Sequence, residues 1–195
     1  MRSAYGKGQV PGGGMTLSEY RAHYSVRPSC FARASVRRAE NGFRAQVWAI
    51  LASPMLHGCD LRTVRQEHPD CFELITNADI VKVNQDPAAL PPRLVRQAPP
   101  FPGASTGEIT EQVFARPLSG NRTAVLLLNR APHALHMNVS WAELGIGGAT
   151  DARSVYDVLL QRKEAGARRG GYGATVPSHD VAFIIVEPAK APGAG

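Results

Sequence analysis

Two stretches of this chain are apolar almost without interruption, Thr123-Ala-Val-Leu-Leu-Leu-Asn129 and Val181-Ala-Phe-Ile-Ile-Val186, and turn-forming residues lie close to both. Short apolar runs of this kind, rich in branched residues and bounded by turn signals, read as buried β-strands rather than helices. Three further segments show short alternating or apolar patterns: Glu111 to Arg116, Leu135 to Val139 and Ser154 to Leu160. A last one, Tyr172 to Val186, is broken at Pro177. Leu118-Ser-Gly-Asn-Arg122 between two of the runs has the composition of a hairpin turn. From Glu108 onward the pattern therefore predicts an antiparallel β-sandwich.

The first half follows a different period. Val47 to Leu51 carries a helical apolar pattern that Pro54 ends, and Met55-Leu56 opens a short strand closed by Gly58-Cys59-Asp60. Between Leu61 and Val83 the apolar positions, interrupted at Pro69 and closed by Asn84-Gln-Asp-Pro87, fit one short helix or a helix plus a turn. Six prolines from Pro87 to Pro102 read as a linker between the halves.

Five motifs, in order, give the chain a family likeness. Gly13-Gly-Met-Thr-Leu-Ser-Glu-Tyr-Arg-Ala-His-Tyr-Ser25 is followed by Trp48-Ala-Ile-Leu-Ala-Ser-Pro-Met-Leu-His-Gly-Cys-Asp-Leu-Arg62 and then Ile80-Val-Lys-Val-Asn-Gln-Asp-Pro87. Ala115-Arg-Pro-Leu-Ser-Gly120 with Ala124-Val-Leu-Leu-Leu-Asn-Arg130, and Val176-Pro-Ser-His-Asp-Val181, come after them. Together they resemble the α-galactosidase (melibiase) family of glycoside hydrolases over nearly the whole chain. The resemblance implies the α/β remnant of a (β/α)8 barrel end, followed by an all-β antiparallel sandwich. Residues 1–87 would be the barrel remnant, 88–107 the linker and 108–190 the sandwich, with the sandwich as the only autonomously folding unit. Residues 26–46 depart from the family pattern, which runs straight from the "HFS" motif into "LWA". This stretch has five arginines and no helix or strand period, and its terminal Val26 and Gln46 suit the boundary bases of an intron read through in frame. It is expected to be an insert outside the fold.

The resemblance also implies the chemistry. The complete family member would remove terminal α-linked galactose through a covalent glycosyl-enzyme intermediate, without metal or organic cofactor. Retaining hydrolysis needs two carboxylates about 5 to 5.5 Å apart, and the family's nucleophile and acid/base aspartates lie upstream of the Gly-Gly-Met-Thr motif where this chain begins. No catalytic residue is therefore expected in this chain, and alone it should be inactive. Asp60, at the end of the last barrel strand, is expected to hydrogen-bond the following loop. The alternative reading is a non-catalytic sandwich module that binds carbohydrate or a partner domain. Its aromatics, Phe101, Phe114, Trp141, Tyr156, Tyr172 and Phe183, are too scattered to make a sugar-stacking platform.

Composition changes this picture little. The net charge is +6, but residues 26–46 carry five arginines against Glu40, so most of the excess sits in the expected insert. Arg37-Arg38 and Arg168-Arg169 are isolated pairs without interleaved aromatics, which argues for solvated loops and against a nucleic-acid partner. Ser178-His-Asp180 contains three triad residue types, but neighbours on an extended segment face opposite ways, so a turn or strand start is expected. His133 and His136 lack further ligands in a metal pattern and are expected at an exposed strand edge. Of Cys30, Cys59 and Cys71, the first falls in the insert. The other two are close enough in sequence to permit a disulfide, with a small buried hydrophobe at Cys59 as the alternative. Asn121-Arg-Thr123 and Asn138-Val-Ser140 are glycosylation sequons if the protein is secreted. Met1 to Lys7 has no apolar signal-peptide core, and no run has the length of a membrane span. Family members are commonly secreted or lysosomal, but a chain truncated at its start would have lost such a signal.

Overall fold

The computed structural model describes residues 45–55, 62–67, 69–98 and 109–189. Residues 45–50 are helical (α1), and three short helices follow: α2 (Val64–Glu67), α3 (Pro69–Ile75) and α4 (Ala78–Asn84). The strands among the described residues are β1 (Arg93–Gln97), β2 (Glu111–Leu118), β3 (Arg122–Asn129), β4 (Leu135–Ser140), β5 (Ala152–Asp157), β6 (Arg162–Lys163), β7 (Arg168–Arg169), β8 (Gly171–Val176) and β9 (Asp180–Pro188).

Seven of these strands form one sheet in the order β1-β2-β3-β9-β5-β6, with β7 also paired to β5, and β4 and β8 form a second, two-stranded sheet. Every pairing is antiparallel. The β2–β3 hairpin turns through Gly120 and Asn121, both at positive φ (72° and 56°), which a Gly-Asn pair tolerates better than most residues.

The large sheet is buried on both faces. Val113, Ala115, Val125, Leu127, Val155, Ile184 and Val186 pack towards β4 and β8, meeting Met137, Val139, Trp141 and Val176. Their neighbours Phe114, Leu118, Ala124, Leu126, Leu128, Phe183 and Ile185 point the other way, against Ala45, Val47, Ala49 and Ile50 of α1 and Ile80 and Val83 of α4. Side chains alternate across a strand, so a strand covered on both sides is apolar at every position. This explains the unbroken runs at Thr123–Asn129 and Val181–Val186. The architecture has three layers, with helices, large sheet and small sheet stacked in turn.

Several expectations meet the structure here. The fold class is as the sequence implied, a mostly antiparallel sandwich with a few helices before it. Leu61 to Val83 holds three helices over its described residues, because Asn77 caps α4 separately by accepting from the Asp79 and Ile80 amides at 2.9 and 3.1 Å. Within the proline-rich stretch, Arg93–Gln97 forms β1 on the edge of the large sheet, with an irregular register between Leu94 and Arg96. An edge strand is where flanking prolines are tolerated. Ala45 and Gln46, the last residues of the expected insert, lie buried in α1. Met55 is not in a strand, and Leu56 to Asp60 lie outside the described residues. No helix among the described residues is long and apolar enough to cross a membrane.

Candidate functional site

The polar residues that the sequence motifs single out converge on the seam between the helices and the large sheet. Arg116 is 1% exposed, at the position in β2 that shares the helix-facing side with Phe114 and Leu118. Its Nε donates to the Leu90 carbonyl at 2.8 Å, and Nη1 donates to the carbonyls of Val83 (2.7 Å), Ala49 (3.2 Å) and Asn84 (3.4 Å). The carbonyls of Ala49, Val83 and Asn84 belong to the last turns of α1 and α4, where helices leave acceptors without intrahelical partners and carry partial negative charge, and that of Leu90 belongs to the segment after α4. One guanidinium thus caps two helix C-termini. Burial pulls the Arg116 pKa down from its ordinary value and the charge of Asp86 works against that, so the group stays a cation.

Asp86 is the anion of the seam, 5% exposed. Oδ1 accepts from the Ser119 amide at 2.9 Å and the Ala88 amide at 3.0 Å, while Oδ2 accepts from the Ser119 hydroxyl at 2.8 Å and Arg122 Nη2 at 3.5 Å. Burial alone would raise the carboxyl pKa. The bonds from Ser119, then the Ala88 amide and the Arg122 charge, outweigh it and hold the group below its ordinary value. Asn84 completes the set, donating to the Ser53 carbonyl at 2.9 Å and the Trp48 carbonyl at 3.2 Å. Asn84-Gln-Asp86 therefore clasps Trp48–Ser53 on one side and Arg116–Ser119 on the other.

A second junction lies along α4. Tyr156 of β5 donates its hydroxyl to Asp79 at 2.6 Å, and Asp79 also receives Lys82 at 2.9 Å. The bond to Asp79 pushes the Tyr156 pKa up to about 12, with burial adding to it. For Asp79, burial raises the pKa, but Tyr156 and Lys82 prevail and the carboxyl lies below its ordinary value. Asn77 Nδ2 reaches the Val158 carbonyl at 3.3 Å. Between the two junctions is a cleft of about 310 Å³ whose walls include Asp79, Lys82, Arg122, Tyr156 and Glu187, with Leu118 and Ile185 among its apolar residues.

The last two motifs pair with each other at the far end of the sheet. Asn129 Nδ2 donates to the carbonyls of His133 and Pro177 at 2.8 Å and Val176 at 3.0 Å, and its Oδ1 accepts from the Ala131 amide. Ser178 Oγ donates to the Ala131 carbonyl at 3.1 Å, and His179 sits at φ 53° in the turn before Asp180 opens β9. Ser178, His179 and Asp180 are thus separate turn and strand-start residues. Asp180 accepts from the Val181 amide, but burial prevails and raises its pKa.

Of the other sequence candidates, Asn121 and Asn138 are both exposed, one in the hairpin turn and one on β4. His136 faces outward from β4, with Nδ1 3.5 Å from Thr175 Oγ1. Cys59 and Asp60 lie outside the described residues, as does the side chain of Cys71, so the disulfide expectation does too. Trp141 is fully buried, which removes it from any sugar-facing platform. Among the described residues no group of three or more His, Cys, Asp or Glu is placed to hold a metal. Sequence reasoning gave Arg116 and Asp86 no role beyond their motifs. The one signal was a lone arginine among the apolar positions Val113 to Leu118.

Residues 109–186 match the family model of the alpha galactosidase C-terminal beta sandwich domain. The chain is 30% identical over 182 residues to an alpha-galactosidase of Cyamopsis tetragonoloba, which covers 92% of this chain and 35% of that protein. It is 29% identical over 180 residues to alpha-galactosidase 3 of Arabidopsis thaliana, over 92% of this chain and 34% of that one. The chain spans about a third of the length of these curated relatives. Among solved structures, alpha-galactosidase I from Mortierella vinacea superposes with a TM-score of 0.67 at 23% identity, over 83% of this chain and 38% of that one. The alpha-galactosidase of Saccharomyces cerevisiae with raffinose gives 0.68 at 17% identity, over 80% and 45%. At such identities the superpositions speak to the fold.

Proposed function

Since this chain is a C-terminal part of the α-galactosidase family, we propose that it is the sandwich-bearing portion of a retaining glycoside hydrolase. In its complete form that enzyme would cleave terminal α-linked galactose. The observation that carries this reading is the seam: the Asn84-Gln-Asp86 motif is bonded directly to the Arg116 and Ser119 motif. The motifs this chain shares with the family thus do structural work, fastening the sheet to helices of the barrel end.

The charged groups of the seam are engaged in holding carbonyls and one another, an arrangement suited to anchoring rather than to proton transfer. We therefore place nucleophile and acid/base outside the residues described, and read Asp60 as a loop-bonding residue. Residues 1–87 and 108–190 would be the barrel portion and the sandwich, as the motifs suggest. A disulfide between Cys59 and Cys71 and glycans on Asn121 and Asn138 are the covalent features that fit a secreted form, and a galactoside is the partner the family reading implies.

Hydrolysis of a chromogenic α-galactoside by the purified chain tests the reading. The expected result is no turnover above the uncatalysed rate. Turnover that survives repurification would place the reacting carboxylates in this chain and overturn the reading.

A further inference from the structure

Between β5 and β8 the chain forms the rim of the large sheet, and every residue from Leu159 to Arg169 except Glu164 is exposed. The segment carries two basic pairs, Arg162-Lys163 and Arg168-Arg169. Little holds it down. β6 and β7 each pair with β5 over two residues, and the Glu164 amide donates to the Val155 carbonyl at 2.9 Å. The Asp157 carboxylate accepts from the Leu159 and Leu160 amides. Lys163 meets Glu187 at 3.2 Å and Arg168 meets Glu164 at 2.7 Å, surface pairs that solvent screens. Gly166, at the tip, is at φ 77° with open space where a side chain would be. Neither core of the described residues takes a side chain from this segment, so it can lift from β5 without disturbing either one. Its flanks are fastened separately: β5 is bonded to β9 from Arg153 to Asp157, and β8 to β4 from Gly171 to Val176.

We propose that Arg162-Lys163 is a processing site for a trypsin-like serine endoprotease, whose S1 pocket holds a carboxylate for an arginine or lysine. Hydrolysis of the Arg162–Lys163 peptide bond consumes one water: the C–N bond breaks, Arg162 gains a carboxylate and Lys163 an ammonium group. Exposed loop tips are where such enzymes nick folded proteins, and the bond must enter the active site with a few extended residues on either side. Around this bond those residues are Leu159 to Ala165, exposed except at Glu164. The second basic pair has the same chemistry without the same freedom. Downstream of it, the Gly170 carbonyl accepts from the Trp141 amide at 2.9 Å, and a Cβ on Gly171 would lie 2.5 Å from the Val139 carbonyl oxygen. Tyr172 after them is buried. The product is a two-chain form, 1–162 and 163–195, in which β8 and β9 of the second piece stay paired to β4, β3 and β5 of the first.

The test is limited digestion of the intact chain with trypsin under native conditions, with the cuts located by mass spectrometry and the products run on a native sizing column. No galactoside enters the readout, so failure here is separate from failure of the galactosidase reading. Among the described residues, Arg162-Lys163 should be cut first, about tenfold or more faster than Arg168-Arg169, because cleavage follows the population of the opened segment. The two pieces should elute together at the size of the intact chain. Arg162→Ala combined with Lys163→Ala, both at exposed positions, should slow nicking between β5 and β8 by about tenfold or more while leaving the thermal unfolding midpoint in place. Equal cutting at Arg168-Arg169, an earlier cut at another described arginine or lysine, separation of the two pieces, or unchanged nicking of the double variant would overturn the proposal.

Discussion

Arg116 shows why a single side chain can decide whether two layers stay together. It is a buried cation whose acceptors are four main-chain carbonyls from the helical layer and the segment after it. Replacing it with methionine keeps most of the volume but leaves those carbonyls without their donor and Asp86 with Arg122 as its remaining counter-charge. Losing one partner of a buried charged set typically costs about 3–5 kcal/mol, so Arg116→Met should lower the urea-unfolding free energy by that order. Asp86 adds a pH dependence. Its folded pKa lies below the ordinary 3.8, so its contribution is complete above the unfolded value and is lost as pH falls through the folded one. Stability should therefore decline below about pH 4, and Asp86→Asn should flatten that decline, leaving the part due to Asp79 and Glu143, whose pKa values are also lowered. Tyr156 has the opposite sign. Its folded pKa near 12 exceeds the ordinary 10.0, so its stabilisation is whole below pH 10 and disappears as pH rises towards 12. Tyr156→Phe should remove that alkaline loss at a cost of about 1 kcal/mol at neutral pH, read by thermal unfolding across the pH range.

At the scale of elements, close approach between the two strands of the small sheet leaves no room for a side chain at one point. A Cβ on Gly171 would lie 2.5 Å from the Val139 carbonyl oxygen and 3.0 Å from the Ser140 Cα, both backbone atoms that cannot swing aside. Gly171→Ala should cost about 1–3 kcal/mol, measured by denaturant unfolding, with the effect concentrated on β4 and β8. The elements also show which parts of the fold are legible in a sequence. Thr123–Asn129 and Val181–Val186 stand out because each buries both faces, and the hairpin at Gly120-Asn121 because both residues accept positive φ. β1 is hidden, since Arg93, Arg96 and the nearby prolines mask Leu94 and Val95 on an edge strand. β6 and β7 are two residues each, too short to carry any period. The seam was visible only as conspicuous letters: Asp86 and Ser119 are 33 positions apart, and nothing in local periodicity says that they meet.

For the whole molecule the consequence is that the sheet does not end at its own strands. Phe114, Leu126, Phe183 and Ile185 are buried by α1 and α4 rather than by the small sheet, so the sandwich half is less self-sufficient than its sequence pattern implied. A truncated chain beginning at residue 88 should bind a hydrophobic dye and aggregate, whereas one beginning at residue 45 should remain soluble and cooperative, judged by dye fluorescence and sedimentation. The central claim is that the shared motifs fasten helices and sheet into one unit, and native-state hydrogen exchange on the full chain tests it most directly. In the unaltered chain the amides of Ala78–Asn84 and Arg122–Asn129 should exchange with closely similar protection, and Arg116→Met should lower both together. If the α4 amides exchange far faster than those of β3, or if the substitution exposes the helix while the sheet keeps its protection, the two are separate units and the account is wrong.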